Sequence, residues 1–358
     1  MKAPPTMAAM KAALTAGLPG TPAPRLDRRW LWAGALLLVV LLVLPFMVKN
    51  YRVFQFNLVI IYAIAVLGLN ILTGYNGQIS LGHGAFYAIG AYTAAILMDR
   101  LGWPYWATLP MAGVVCFVVG FLMGFPALRL EGHFLALATL ALANAVPQLL
   151  KYKGIEDWTG SVQGIVLSKP EPPFSFQFLG QPLSADRWLY YFSLAVAILM
   201  FVLAWNLLRG RVGRALVAIR DHPIAATAMG INLPLFKSLT FGVSAATTGV
   251  AGALGGIVVA FVAPDSFPVF LSIAILVGVV VGGLASIPGA IFGALFIQFV
   301  PNMADVVSKS APWAIYGAFL IGFMYLLPSG VMGGVHKLMA WRRAGAKATP
   351  PALPPAAR

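Results

Sequence analysis

The stretch Trp30–Val48, WLWAGALLLVVLLVLPFMV, runs for 19 residues without a charge. As a helix it is long enough to cross the ~30 Å hydrocarbon core of a bilayer, and it sets the class of fold. A secretory signal would carry a shorter apolar region followed by small residues at a cleavage site. Here the run leads into PFMVKNYR, Pro45–Arg52, so the span is expected to stay in the mature protein. Further apolar runs of helical length lie at 53–72, 79–98, 105–128, 134–150, 188–208, 239–263, 269–285, 289–304 and 312–328. The runs are continuous rather than alternating, which excludes a transmembrane β-barrel. The expected fold is an all-α polytopic membrane protein of about ten helices, in the range eight to ten. The 134–150 and 289–304 runs are the weakest members, interrupted by Asn144, Pro147, Gln298 and Asn302.

The composition agrees. Of 358 residues 60% are hydrophobic and 9% charged, against about 25% charged in a soluble domain, and the mean hydropathy is +0.87. The 24 basic and 10 acidic residues leave a formal charge of +14. Laid over the alternating spans, the side carrying both ends of the chain and the 209–237 loop holds 16 basic and 3 acidic residues, the other side 8 and 7. Lys and Arg concentrate on the cytosolic side of membrane proteins, so both termini are expected in the cytosol. The basic excess is thus a topology signal and not a nucleic-acid footprint. Residues 1–29 read as a disordered basic tail, 30–335 as the membrane domain and 336–358 as a second basic tail. The lone Cys116 excludes a disulfide framework, and no metal site is expected.

Two loops are long. The outer one, 151–187, is rich in Pro, Gly and aromatic residues and suits a folded cap. The inner one, Arg209–Lys237, reads RGRVGRALVAIRDHPIAATAMGINLPLFK. Pro223 and Gly230 are start and stop signals for a short helix over about 223–229, whose Ala225, Ala226 and Ala228 allow close approach of another surface. Two turns of helix need a docking partner or the membrane surface to persist. On residues alone, an interfacial connector with its arginines at lipid phosphates and a protein-docking element both fit.

This loop resembles the EAA-type coupling loop of ABC importer permeases, and in particular that of LivM-type branched-chain amino acid permeases. The stretch LGLNILTGYNGQISLGHGAFYAIGAYTAA, Leu67–Ala95, is similar to the Gly-rich signature of that family. FPALRLEGHFLALATL (125–140), WTGSVQGI (158–165), APDSF (263–267) and VVGGLASIPGAIFGAL (280–295) follow in family order. The resemblance implies an inner-membrane subunit of a bacterial importer, paired with a LivH-type permease subunit, two ABC ATPase subunits and an extracytoplasmic binding protein. It implies ATPase coupling through Arg214, Ile219, Arg220, Ala225, Ala226 and Gly230. The chain has no G-x-x-x-x-G-K-[ST] phosphate loop, so no bound cofactor is expected and ATP would be used by the partner ATPases. Branched-chain amino acids are the substrate implied, with urea, amides or aromatic acids as alternatives within the family.

Between Thr73 and Gly84, TGYNGQISLGHG packs glycines and polar residues at the edge of a span. Irregular backbone at membrane depth survives only under protein cover or beside a water-filled path. Asn70, Gly74, Gly77, Gln78, Ser80, Gly82, His83 and Asn144 are therefore candidates to line a translocation pathway. A tight turn with glycines for close packing is the alternative, and a lone histidine bonded to its surroundings is the commoner role for His83. The run SAATTGVAGALGG, Ser244–Gly256, reads as a close-packing helix face. GAFY (84–87) and GAIF (289–292) are a faint internal echo. The spans lack the ionisable residues that a secondary carrier would use for ion coupling. The four histidines form no catalytic cluster, so no enzymatic activity is expected.

Overall fold

The structure is a computed structural model. It describes residues 41–335 and 337, apart from 129, 131, 173–176, 179–180, 183 and 308–311. The chain divides into two compact units, Met1–Val48 and Lys49–Arg358. Of the first, residues 41–47 are described and helical. The expected tail 1–29, most of the 30–48 span and nearly all of the C-terminal tail lie outside the described residues.

The second unit is a helical bundle. Its long helices are α1 (Asn50–Asn70), α2 (His83–Asp99), α3 (Tyr105–Ala127) and α4 (His133–Leu150). After the one-turn α5 (Glu156–Thr159), three short strands lead to α6 (Ala185–Arg209). The 209–237 loop forms α7 (Arg211–Asp221) and α8 (Pro223–Ala228), and α9 (Leu233–Val259), α10 (Val269–Gly282), α11 (Gly289–Val307) and α12 (Pro312–Leu326) follow. Each apolar run expected among the described residues is a helix, because in lipid only a helix satisfies its own backbone groups. Among the described residues seven helices are long and apolar enough to cross a membrane; α11 contributes a shorter apolar helix, and α2 has 17 residues.

α9 is the axis of this bundle, packed against α3, α2 and α1. Its small residues let backbones touch: a Cβ on Gly252 would lie 1.9 Å from the Tyr87 carbonyl, and one on Gly90 would lie 2.0 Å from that of Gly249. With no hydrophobic drive between helices in lipid, this contact is what holds them. α1 is also largely buried, whereas α4, α6 and α12 turn large apolar side chains outward, among them Leu137, Leu203 and Ile321. Such apolar surface belongs against lipid or another chain.

Within the second unit the described loops gather at two ends. At one end, β1 (Ile165–Val166) of the long outer loop pairs antiparallel with β4 (Phe261–Val262), Ile165 opposite Val262, and Lys151 bridges to Asp265 at 2.6 Å. Lys169 pairs with Asp186, and the hairpin of β2 (Gln177–Phe178) and β3 (Gln181–Pro182) lies between. The loop is thus tied to the end of α9. At the other end gather the Gly-rich segment, α7, α8 and the 283–288 turn. One boundary needs correction. α9 begins at Leu233, six residues before the apolar run at 239, because Asn232 caps it, its side chain accepting from the Leu235 N–H at 3.2 Å. Lys237 therefore sits in the first turns of α9 and not in a loop.

Candidate functional site

At the end of α1 the helix widens into a π-turn over Ile71–Tyr75. Asn70, just before it, acts as a surrogate strand: its Nδ2 donates to the Ser286 carbonyl at 2.8 Å and its Oδ1 accepts from the Ala285 N–H at 3.0 Å. Ala285 has a positive φ of 57°, an unfavourable conformation for a residue with a Cβ, and Asn70 holds it there. Gly74 is required by the same contact, since a Cβ would fall 2.2 Å from Asn70 Oδ1 and 2.4 Å from the Ala285 nitrogen.

Arg220, near the end of α7, reaches this turn. Its Nη1 donates to the Gly74 carbonyl at 2.8 Å, and its Nε donates to Asp221 at 3.0 Å. The Arg220 stem lies over Gly77, whose φ of +75° suits glycine and where a Cβ would meet Arg220 Cγ at 2.9 Å. The chain then folds back on itself, Thr73 Oγ1 donating to the Gln78 carbonyl at 3.0 Å and Gln78 N–H to Leu72 at 3.2 Å. Among the described residues the side-chain amides of Asn76 and Gln78 have no hydrogen-bond partner, although both residues are buried.

His83 opens α2 in full burial. Ser244 Oγ donates to the Gly68 carbonyl at 2.6 Å and lies 2.7 Å from His83 Nε2; Ser80 Oγ lies 3.1 Å from Nδ1. A neutral ring, protonated on Nε2 and accepting on Nδ1, satisfies the whole chain of groups. Gly84 N–H donates to Ser272 Oγ at 2.9 Å, and Leu81 N–H to Thr139 Oγ1 at 2.9 Å. The Gly-rich segment is therefore bonded to α4, α9, α10 and, through Arg220, to α7.

α7 buries Gly213, Leu216 and Ile219 against the bundle. α8 starts at Pro223 and is closed by Gly230 with φ +87°, as the punctuation in the sequence predicts. Ala226 is buried on its inner side, while Ala225 is exposed and Ile224 and Met229 are 87% and 84% exposed. A Cβ on Gly230 would meet nothing within 4 Å, so that position is set by backbone conformation and not by space.

The structure thus brings together Asn70, Gly74, Gly77, Gln78, Ser80, Gly82, His83, Ile219 and Arg220 at one end of the bundle. It places Arg214, Ala225 and Gly230 on the exposed side of the α7–α8 unit. Asn144 stands apart, exposed on α4 with its amide on the Leu140 carbonyl of its own helix. Ile219 is buried against the bundle, and Arg220, an exposed residue, reaches inward with its Nη1 to the Gly74 carbonyl. Sequence reasoning missed Ile224 and Met229, whose signal was two large apolar side chains flanking a short helix of small ones. It also missed Ser244 and Thr139, which look in sequence like ordinary small helix residues.

The chain is 36% identical over 314 residues to the high-affinity branched-chain amino acid transport system permease protein LivM of Salmonella typhimurium, covering 83% of this chain and 73% of that protein. It is 36% identical over 334 residues to LivM of Escherichia coli K12, covering 87% and 78%. It is 24% identical to the permease protein LivH of E. coli K12 over 290 residues, covering 76% and 91%. No solved structure matches it. Residues 51–328, from the start of α1 to just past α12, match the family described as the permease component of branched-chain amino acid transport systems, and the chain belongs to that family of multi-pass, non-enzymatic transport subunits.

Proposed function

We propose that the chain is the LivM-type translocating subunit of a bacterial ABC importer for branched-chain amino acids, resident in the inner membrane with its α7–α8 end in the cytosol. It pairs there with a LivH-type subunit and two ATPases, and a binding protein delivers substrate to the opposite end, at the cap formed by 151–187. ATP is bound and hydrolysed by the ATPase subunits. The observation that carries this reading is α8: an exposed apolar tip, Ile224 and Met229 around Ala225, mounted on α7, whose Arg220 is bonded to the Gly-rich segment. An apolar side chain projecting from a rigid two-helix unit is what a groove on another protein receives. A force applied to α8 reaches the spans through Arg220 and Gly74, and not only through the flanking helices α6 and α9. α1, α2, α4, α9 and α10 all meet at that segment, so displacing it opens or closes the path between them.

The test is uptake in proteoliposomes holding the complete importer, with ATP inside and loaded binding protein outside. ATP-dependent accumulation of L-leucine, L-isoleucine and L-valine is expected, with urea and aromatic acids not carried. Accumulation of urea or an aromatic acid in their place assigns the chain to another substrate, and accumulation without the ATPases contradicts the reading.

A further inference from the structure

Where α6 meets α7 the bundle carries three exposed arginines, Arg209, Arg211 and Arg214. None of them makes an ion pair or a side-chain hydrogen bond among the described residues. A single residue, Gly210, joins the two helices. α7 is pressed onto the end of α6 so closely that a Cβ on Gly213 would lie 1.8 Å from the Leu208 carbonyl oxygen. Gly213, Leu216 and Ile219 form the buried face of α7, and Arg211 and Arg214, one turn apart, lie on the face opposite. The backbone thus fixes three unpaired positive charges about one corner.

The surface leading to this corner points to lipid. α6 is an apolar span that turns Ile198, Val202 and Trp205 outward, and their spacing sets them on one helical stripe, which Arg209 continues. An apolar stripe that ends in tryptophan and then arginine is the pattern of a span leaving the hydrocarbon for the headgroup layer. Arg209 follows Trp205 by one turn, ~6 Å along the axis, at the depth of lipid phosphates. A zwitterionic headgroup brings its own ammonium to the phosphate, whereas arginines without an acid call for a headgroup of net negative charge. Free phosphate would use the charge and leave the apolar stripe unused. We propose that Arg209, Arg211 and Arg214 hold the phosphate of an anionic phospholipid whose acyl chains lie along Ile198 and Val202. The lipid braces the first turn of α7 at the membrane surface, while Arg220 in the last turn of the same helix is bonded to Gly74. Both ends of α7 are then anchored, one to lipid and one to the bundle. Binding of this kind requires that the chain span a membrane and is independent of the cargo and of ATP coupling.

The full-length chain, with the subunits that co-purify, is equilibrated in bilayers of dioleoyl phosphatidylglycerol and dioleoyl phosphatidylcholine in equal amounts and extracted in mild detergent, and native mass spectrometry counts the lipids retained. Retained phosphatidylglycerol is expected to exceed phosphatidylcholine. The variant Arg209→Gln/Arg211→Gln/Arg214→Gln should retain at least one phosphatidylglycerol fewer per chain, while Lys153→Gln, exposed at the opposite end, retains the full number. Excess inorganic phosphate should leave the count unchanged. A second measurement needs no variant: in nanodiscs, hydrogen exchange over residues 211–215 of the unaltered chain is expected to slow at least threefold when the lipid mixture replaces phosphatidylcholine alone. A count unaltered in the triple variant, displacement of the lipid by phosphate, or exchange at α7 indifferent to phosphatidylglycerol overturns the site.

Discussion

Arg220 of α7 and Gly74 of the π-turn are joined by a 2.8 Å hydrogen bond across 146 residues of sequence. The bond links the exposed α7–α8 unit to the Gly-rich segment, which is also bonded to α4, α9 and α10. A guanidinium can serve Gly74 and Asp221 from different nitrogens of one planar fork, a task that a lysine ammonium cannot reproduce in the same geometry.

Docking on the ATPase should depend on the apolar tip of α8. Ile224→Asp is expected to weaken co-purification of the ATPase subunits at least tenfold, about 1.4 kcal/mol, because in the proposed complex a charge would be buried where Ile224 docks. Membrane insertion and the amount of the chain should not change, since Ile224 touches little of its own chain at 87% exposure. Pull-down of the ATPase from detergent extracts measures both.

Gly74 and Gly230 should respond differently to substitution. Gly74→Ala puts a methyl into Asn70 and Ala285 and is expected to cost about 1–3 kcal/mol, as overpacking does. At Gly230 the space is open but φ is +87°, so Gly230→Asn should retain transport while Gly230→Val loses it. Thermal melting of the purified assembly, beside uptake, separates the two causes.

Ser244→Ala removes the acceptor of His83 Nε2 in a fully buried place. A loss of about 1–3 kcal/mol is expected, whereas Ser244→Thr retains the hydroxyl and should recover part of it. Denaturation midpoints in detergent of the two variants, compared with the unaltered chain, check the order.

Much of the architecture was legible in the sequence. The apolar runs mark the spans because burial in lipid demands long uncharged helices, and Pro223 with Gly230 marks α8 because each residue restricts or frees one backbone angle. The small residues of 244–256 announced close helix contact. What could not be read is which distant groups meet. Asn70 finds Ala285 and Ser286, and His83 finds Ser244, through packing that periodicity does not encode. Asn144 shows the converse, a polar residue within a span that faces outward and bonds to its own helix. Arg220 was legible as part of a basic segment, but its inward turn depends on the absence of a side chain at Gly77, a feature that only the assembled fold displays.

The ratio of substrate imported to ATP hydrolysed, measured in proteoliposomes for the Arg220→Met importer, tests the relay most directly. Methionine retains the apolar stem over Gly77 and removes the donor to Gly74. Assembly with the ATPases and their hydrolysis should persist, while L-leucine imported per ATP falls at least tenfold. An unchanged ratio, whether both rates stay high or fall together, would contradict the claim that α8 drives the spans through Arg220 and Gly74.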